Sequence, residues 1–225
     1  MTRVLRPFIA ILRKDATIEF RTREVLFTVG IFALLLVVVF AFAFQADSSS
    51  MAGYGPGVIW ATILFFTTIG QSRLFDRERE NDGLWALLLS PVDPAVVFLA
   101  KVTGSFVLAV LMELVSLPLV FVLFDLTVWS PLLLLGALLL GTLALTLVGT
   151  LFSAMLMRAR MKEVLLPLVT YPLLMPVLMA GVRLTGAALG LGMPESDGFW
   201  LRFLTGFDLV VCGMSLALFG RMIRA

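Results

Sequence analysis

Two carboxylates lie inside long apolar stretches of the sequence, where acidic residues are rare. Glu113 falls in the third of these stretches and Asp208 in the sixth. A charge at the middle of a bilayer costs about 2.5–3.5 kcal/mol on insertion scales, so such residues usually face a protein interior or cavity. Arg183 and Arg202, at the neighbouring ends of two apolar stretches, are available partners. Two interpretations stay open: a polar patch on the path of an anionic substrate, and a structural ion pair or neutral carboxyl group, which we favour.

Other groups with catalytic or metal-binding chemistry are scarce. The sequence has no histidine, the commonest general base and metal ligand, and its one cysteine, Cys212, cannot form a disulfide within the chain. It has neither the Gly-x-x-x-x-Gly-Lys-Ser/Thr motif that cradles nucleotide phosphates nor a Gly-x-Ser-x-Gly nucleophile motif. We therefore expect no enzyme, and instead a channel, a transporter or a scaffold.

Three prolines in the fifth apolar stretch form a second candidate element. Pro167, Pro172 and Pro176 each remove one intrahelical hydrogen bond, so we expect this helix to be kinked or broken unless neighbouring groups bind the freed carbonyls. Proline is commoner in membrane helices than in soluble ones. Three in so short a stretch nevertheless favour a gating or substrate-lining role.

The connection between the second and third apolar stretches carries a dense cluster of charges. Pairs of opposite charge three residues apart, such as Arg77 and Glu80, suit a solvated helix. Asp82-Gly83 then ends that helix, and the apolar residues 84–89 are too few to cross a membrane. A short helix with an apolar face suits a partner surface. The alternative is a surface loop lying on its own bundle.

The composition indicates that the helices carrying these residues are surrounded by lipid. Of the 225 residues, 60% are hydrophobic and 14% are charged, against about 45–50% and 25% in an average soluble domain. A spanning helix needs about 20 mostly apolar residues. We predict an all-α integral membrane protein with six transmembrane helices, at residues 25–44, 56–71, 95–124, 131–157, 164–182 and 200–220.

Local signals mark where these helices begin and how they pack. Asp93-Pro94 and Ser130-Pro131 each place a capping side chain before a proline at the first helical position. The glycines and proline of residues 53–57 predict a break before the second span. Small residues at helical spacing predict close helix packing in the fourth span: Ala137, Gly141, Gly149 and Ser153.

The distribution of lysine and arginine predicts the orientation in the membrane. Basic residues cluster before the first span and after the second, fourth and sixth spans, and only Arg183 and Arg202 lie near the alternate loops. The positive-inside rule therefore puts both termini in the cytoplasm. Lys101, just inside the third span, can extend its stem to the same side. This pattern disfavours a nucleic-acid partner.

Residues 1–24 form a basic amphipathic segment ahead of the spans. Apolar residues, including Phe8 and Leu12, recur at helical spacing opposite Arg6 and Arg13. Such a helix lies in the plane of the membrane interface. We favour this placement over an ordinary cytoplasmic tail, and we assign residues 25–225 to a six-helix transmembrane domain.

Several of these motifs resemble a known family. Residues 77–84 (Arg-Glu-Arg-Glu-Asn-Asp-Gly-Leu) and 87–91 (Leu-Leu-Leu-Ser-Pro) are similar to the signature of ABC-2-type permeases, the membrane halves of exporters whose ATPase is a separate subunit. Residues 57–60, 73–75 and 95–102 narrow the resemblance to the haem exporter protein B family, the permeases of cytochrome c maturation. Trp85-Ala86 depart from the glutamate expected in the wider class.

The resemblance implies a partner and a coupling segment at about residues 73–94. A separate ATP-binding subunit would dock on the following residues: Arg77, Glu78, Arg79, Glu80, Asp82, Gly83, Leu84, Leu87, Leu88 and Pro91. It further implies a second copy of the chain and other haem-handling membrane subunits. Haem would be the substrate, ATP would sit on the partner, and this chain would bind no cofactor of its own.

Two other functions stay open. One is a different ABC-2-type exporter, moving a lipid, drug or polysaccharide. The other is a non-transporting membrane scaffold for an ATPase that drives release of a haem-loaded chaperone.

Overall fold

The computed structural model describes residues 2–22, 24–44, 51–75, 92–157, 159–191 and 197–224. Within these ranges the regular elements are α-helices. They are α1 (Thr2–Thr22), α2 (Glu24–Phe44), α3 (Met51–Arg73), α4 (Pro94–Leu123), α5 (Pro131–Met155), α6 (Lys162–Ala188) and α7 (Asp197–Arg224).

Six of these helices, α2 to α7, are long and apolar enough to cross a membrane. They confirm the predicted all-α class and the six spans. A helix satisfies its own backbone hydrogen bonds, which is required where lipid offers no partner. The helices extend beyond the apolar stretches at several ends; α6, for example, begins at Lys162 and ends at Ala188.

Helix α5 lies at the centre of the bundle. It packs against α3, α4, α6 and α7, and 56% of its most apolar window is buried, the largest share among the six spans. Helices α2 and α7 are peripheral, with 22% of the corresponding window buried in each. Large apolar side chains such as Val122, Leu132 and Leu209 are exposed on the outer faces of the bundle, where lipid covers them in a membrane.

The predicted helix starts at the two Xaa-Pro pairs are correct. Asp93 caps α4, because its Oδ1 accepts a hydrogen bond of 2.9 Å from the Ala95 N–H. Pro131 begins α5, but the Ser130 side chain makes no capping bond. The Ser130 N–H instead donates to the Ala188 carbonyl, 3.0 Å away, and so ties this loop to the end of α6.

The predicted break at residues 53–57 is wrong. Helix α3 begins at Met51 and runs through Gly53 to Gly57 without interruption. Pro56 is near the helix start, so its missing N–H costs a single hydrogen bond. Gly55 is required for close packing rather than for a turn, because a Cβ there would lie 2.7 Å from Leu126 Cδ2.

Helix α1 packs on α4 at the end of the bundle where α3 ends and α4 begins. Leu12 approaches Gly104 of α4, since a Cβ added to that glycine would lie 3.5 Å from Leu12 Cδ1. Leu5 and Ile9, on another face of α1, are 60% and 51% exposed. Part of the apolar surface of α1 is therefore used within the protein and part remains open.

Candidate functional site

The predicted coupling residues lie outside the described residues. They are Arg77, Glu78, Arg79, Glu80, Asp82, Gly83, Leu84, Leu87, Leu88 and Pro91. The chain is described on both flanks of the segment. On the first flank Phe75 is buried, 4% exposed, against Phe98 of α4 and Phe219 of α7. On the second flank Asp93 caps α4. The first flank is thus packed in the bundle, and the second is fixed at the start of α4.

Glu113 is buried within the bundle and bonded to a neighbouring helix. Its side chain is 3% exposed, and its Oε1 accepts a hydrogen bond from the Thr142 hydroxyl of α5. Arg183 and Arg202 are exposed, and the described residues include no ion pair between either arginine and Glu113. The structure therefore satisfies Glu113 with a hydroxyl donor instead of a positive charge.

Asp208 lies near the middle of α7 and is 6% exposed. Neither of its carboxylate oxygens has a hydrogen-bond partner among the described residues. The Ser215 hydroxyl, two turns further along the same helix, is likewise buried without a partner in the described part of the chain. No described contact joins Asp208 to Glu113, Arg183 or Arg202, so the four predicted polar residues do not form one cluster of direct contacts.

The three prolines do not interrupt α6, which is a continuous helix. Pro167 is half-buried, whereas Pro172 and Pro176 are exposed. The buried face of α6 is formed by other residues, among them Leu174 and Val177. A gating or lining role for these prolines therefore needs a partner or a second copy on the outer face of the protomer.

A polar cluster around Gln71 was missed in the sequence. Gln71, near the end of α3, is 2% exposed. Its Nε2 donates to Ser105 Oγ of α4 at 2.6 Å, and its Oε1 accepts from the Thr150 hydroxyl of α5 at 3.4 Å. Its backbone carbonyl accepts from Ser153 Oγ at 2.7 Å. One side chain and its carbonyl thus connect three helices.

The available signal for this cluster was the spacing of hydroxyl residues on α5. Thr142, Thr146, Thr150 and Ser153 recur every three or four residues and are fully buried. Such a stripe faces one direction on a helix. The Gln71 amide is a suitable partner for this stripe. Whether the two come into contact depends on how α3 is rotated about its own axis.

Replacing Gln71 by leucine is expected to lower the free energy of unfolding by about 1–2 kcal/mol. The amide loses its bonds to two other helices, and interhelical hydrogen bonds in membranes average about 0.6 kcal/mol with a maximum near 1.7. The midpoint of thermal aggregation in detergent measures the loss. Ser72→Ala is the control, because the Ser72 hydroxyl bonds only the Ile69 carbonyl of its own helix in the described contacts. Equal midpoints for the two variants would contradict the role of Gln71.

Trp60 of α3 is the second residue that holds the bundle together. Its indole is 1% exposed, and its Nε1 donates to Thr185 Oγ1 of α6 at 3.0 Å. A Cβ added to Gly141 of α5 would lie 2.1 Å from Trp60 Cη2, and one added to Gly181 of α6 would lie 2.3 Å from Cε2. The two glycines therefore make the space that the indole fills, which agrees with the predicted packing role of Gly141.

Lys101 does not reach solvent, contrary to the expectation from the sequence. Its side chain is 3% exposed, and its Nζ lies 2.8 Å from Asp15 Oδ2 of α1. The physical reason is that α1 packs directly over this part of α4 and supplies a carboxylate to the ammonium group.

A cavity between α2, α3 and α4 has a volume of about 20 Å³. It is lined by residues that include Val29, Phe66 and Met112. This volume accepts one water molecule at most, whereas sites for small organic ligands occupy roughly 300–1,000 Å³. The cavity is therefore too small for a macrocycle.

These features define the class of the protein. It is a multi-pass, all-α membrane protein whose helices are joined by buried polar contacts. Residues 6–224 match the family described as CcmB protein. The chain belongs to the CcmB family, a membrane component of the haem export system for cytochrome c maturation. The resemblance to haem exporter protein B is thereby confirmed. Comparison with individually curated proteins gave no match.

Proposed function

We propose that this chain is the permease subunit of an ABC transporter that handles haem and is energised by a separate ATP-binding subunit. The observation that carries the proposal is the family match over residues 6–224, on a chain with six candidate membrane spans. The nucleotide-binding motifs absent from the sequence would be supplied by the partner. ATP hydrolysis is then the partner's reaction, and this chain converts it into movement within the membrane.

The proposed assembly contains two copies of the chain, two ATP-binding subunits and further haem-handling membrane subunits. We place it in the bacterial inner membrane because of the family match, and we place both termini in the cytoplasm because arginine and lysine cluster on one set of connections. Helix α1 would lie at the interface with its exposed Leu5 and Ile9 toward lipid. The segment 73–94 would then face the cytoplasm, where the ATP-binding subunit can reach it.

The packing around the segment supports a way to transmit movement. Phe75, directly after α3, is buried against α4 and α7, and Gln71, one turn earlier, is bonded to α4 and α5. Displacing the segment would therefore displace the end of α3 and, through Gln71, the central helix. Packed elements with two discrete arrangements are the form that such coupling takes.

Haem would be held by partner subunits or at an interface between subunits. The chain has no histidine, and axial haem ligands are most often histidine, cysteine, methionine or tyrosine. Of these, the exposed methionines of α6, such as Met175 and Met179, would face a neighbour or lipid.

A second function, the scaffold that uses ATP to release a haem-loaded chaperone, is favoured by one observation. Glu113 is satisfied inside the bundle by Thr142, and the cavity beside α3 has only about 20 Å³. Neither the surroundings of Glu113 nor this cavity has room for a macrocycle. In the scaffold function haem never enters this chain, whereas a transporter needs a path that opens between copies.

Two measurements on the same preparation test the proposal and separate the functions. The tagged chain, extracted from its native membrane, is expected to retain an ATP-binding protein in equal amount. Proteoliposomes containing the whole complex then report haem movement on ATP addition. Movement supports the transporter, and retention without movement supports the scaffold. Absence of any ATP-binding protein from the complex would overturn both.

Glu113→Gln is expected to leave cytochrome c assembly unchanged. Glutamine keeps an acceptor oxygen for the Thr142 hydroxyl and nearly the same volume, so the packing between α4 and α5 is preserved. Holocytochrome c formed per unit of folded variant measures the outcome. A folded Glu113→Gln variant without assembly would show that the carboxyl group itself takes part in the process, which would revive the substrate-path interpretation.

A further inference from the structure

The ammonium group of Lys101 contacts two separate parts of the chain. Its Nζ lies 2.8 Å from Asp15 Oδ2 of α1 and 3.5 Å from the Leu74 carbonyl, which follows α3. The same nitrogen lies 5.4 Å from the centroid of the Phe75 ring. The ammonium group therefore joins α1, α4 and the end of α3 at one point.

Burial of Lys101 increases the energetic importance of these contacts. Lys101 is 3% exposed, and a buried ammonium ion is costly unless a carboxylate and hydrogen-bond acceptors surround it. Asp15 is 28% exposed and also pairs with Lys14 Nζ at 3.3 Å, but the Lys14 side chain is 51% exposed and its pairing is weakened by solvent. Of these two ion pairs, the one with Lys101 joins α1 to another helix.

The position of Lys101 relates it to the coupling segment. Leu74 and Phe75 immediately precede that segment, and Lys101 lies two turns into α4, the helix that follows it. Around this point a cluster of buried apolar residues includes Phe75, Phe98 and Phe219, and Ile11 of α1 packs against it. Both flanks of the segment and α1 thus meet around one charged side chain.

We propose that Lys101 is a positioning residue that makes α1 and the two flanks of the coupling segment move as one unit. This inference rests on the proposed function, in which the segment receives the ATP-binding subunit. A movement imposed on the segment would then be shared with α1 at the membrane interface instead of being confined to the segment. The alternative role is a simple anchor, in which Lys101 only holds α1 in place.

The experiment uses the whole complex and compares four variants. Lys101→Arg keeps the positive charge and its donors. Lys101→Met removes the charge and both donor contacts. Lys101→Asp combined with Asp15→Lys restores an ion pair between α1 and α4 but leaves no donor for the Leu74 carbonyl and no cation over Phe75. Asp15→Asn removes the charge on α1 and keeps the contacts to Leu74 and Phe75.

Two readouts separate positioning from anchoring. A disulfide between Leu12→Cys and Gly104→Cys, made in a Cys212→Ser background, reports the docking of α1, because these two sites are adjacent. Holocytochrome c formed per ATP hydrolysed reports coupling and is independent of the amount of protein. Lys101→Met is expected to lower this ratio about tenfold, within the roughly 5–150-fold range of coupling effects. Lys101→Arg is expected to retain the ratio.

The charge-swapped pair decides between the two roles. We expect it to restore the disulfide while the ratio stays as low as in Lys101→Met. Restoration of the ratio together with the disulfide would overturn the proposal in favour of an anchor. If Lys101→Met does not accumulate, Asp15→Asn is expected to lower both readouts, and an unchanged ratio in that variant would also overturn it. A wild-type complex without an ATP-binding protein would instead refute the proposed function.

Discussion

Replacing Gly141 by leucine is expected to prevent the protein from accumulating in a folded state. A Cβ at this position would lie 2.1 Å from Trp60 Cη2, and the indole cannot move away because Gly181 of α6 contacts its other edge. Overpacking a core costs about 1–3 kcal/mol and occasionally more, and a leucine here exceeds the available space by its whole side chain. The fraction of monodisperse protein after detergent extraction measures the effect.

Gly206→Leu is the matched control. Gly206 lies on an exposed face of α7 and has no heavy atom within 4 Å of an added Cβ. Leucine is a better helix former than glycine by roughly 0.8–1 kcal/mol, so this variant should accumulate normally. Adding Trp60→Ala to Gly141→Leu is expected to recover part of the yield. If Gly141→Leu were as stable as Gly206→Leu, the packing of Trp60 between the two glycines would be refuted.

Replacing Leu87 and Leu88 together by aspartate is expected to abolish retention of the ATP-binding subunit. The proposed docking surface depends on an apolar stretch between charged residues. Hot-spot residues of an interface contribute about 2 kcal/mol or more each, and we expect both leucines to be hot spots, so losing two lowers affinity by a factor on the order of 10³. Co-purification of the subunit with the tagged chain measures the loss.

Met161→Asp controls for a general effect of added charge. Met161 is 63% exposed in the connection between α5 and α6, which is predicted to face the same side of the membrane as the coupling segment. The subunit should be retained by this variant in normal amount. If the Leu87/Leu88 variant retained the ATP-binding subunit as well as Met161→Asp does, the docking surface would lie elsewhere.

The fold could be predicted from the sequence because its signal is local. Long apolar stretches identify the six spans, and Asp93-Pro94 identifies the start of α4. The start of α3 was missed because Gly55 and Pro56 are typical of a loop, whereas here they permit close approach to Leu126 and cost a single hydrogen bond near the helix start. Glycine and proline can serve either a turn or a close helix contact. Their role at a given position therefore cannot be predicted without knowing which residues pack against them.

The polar contacts could be predicted only in part, because they depend on how helices are rotated against one another. Glu113 was identified as a buried carboxylate, but its partner proved to be Thr142 rather than an arginine. Gln71 and its hydroxyl partners were overlooked because none of them is charged. Lys101 was expected to extend its stem to the cytoplasmic side, but the sequence does not say that α1 packs over it and buries the ammonium group.

The most direct test of the account is a photo-crosslinking amino acid introduced at Leu87 in the native membrane of intact cells. Illumination is expected to join the chain to an ATP-binding subunit, and a thiol label at the same position is expected to react only after the cytoplasmic side is opened. Labelling from the outside of intact cells, with no crosslink to a nucleotide-hydrolysing protein, would contradict the proposed coupling segment and the orientation on which it depends.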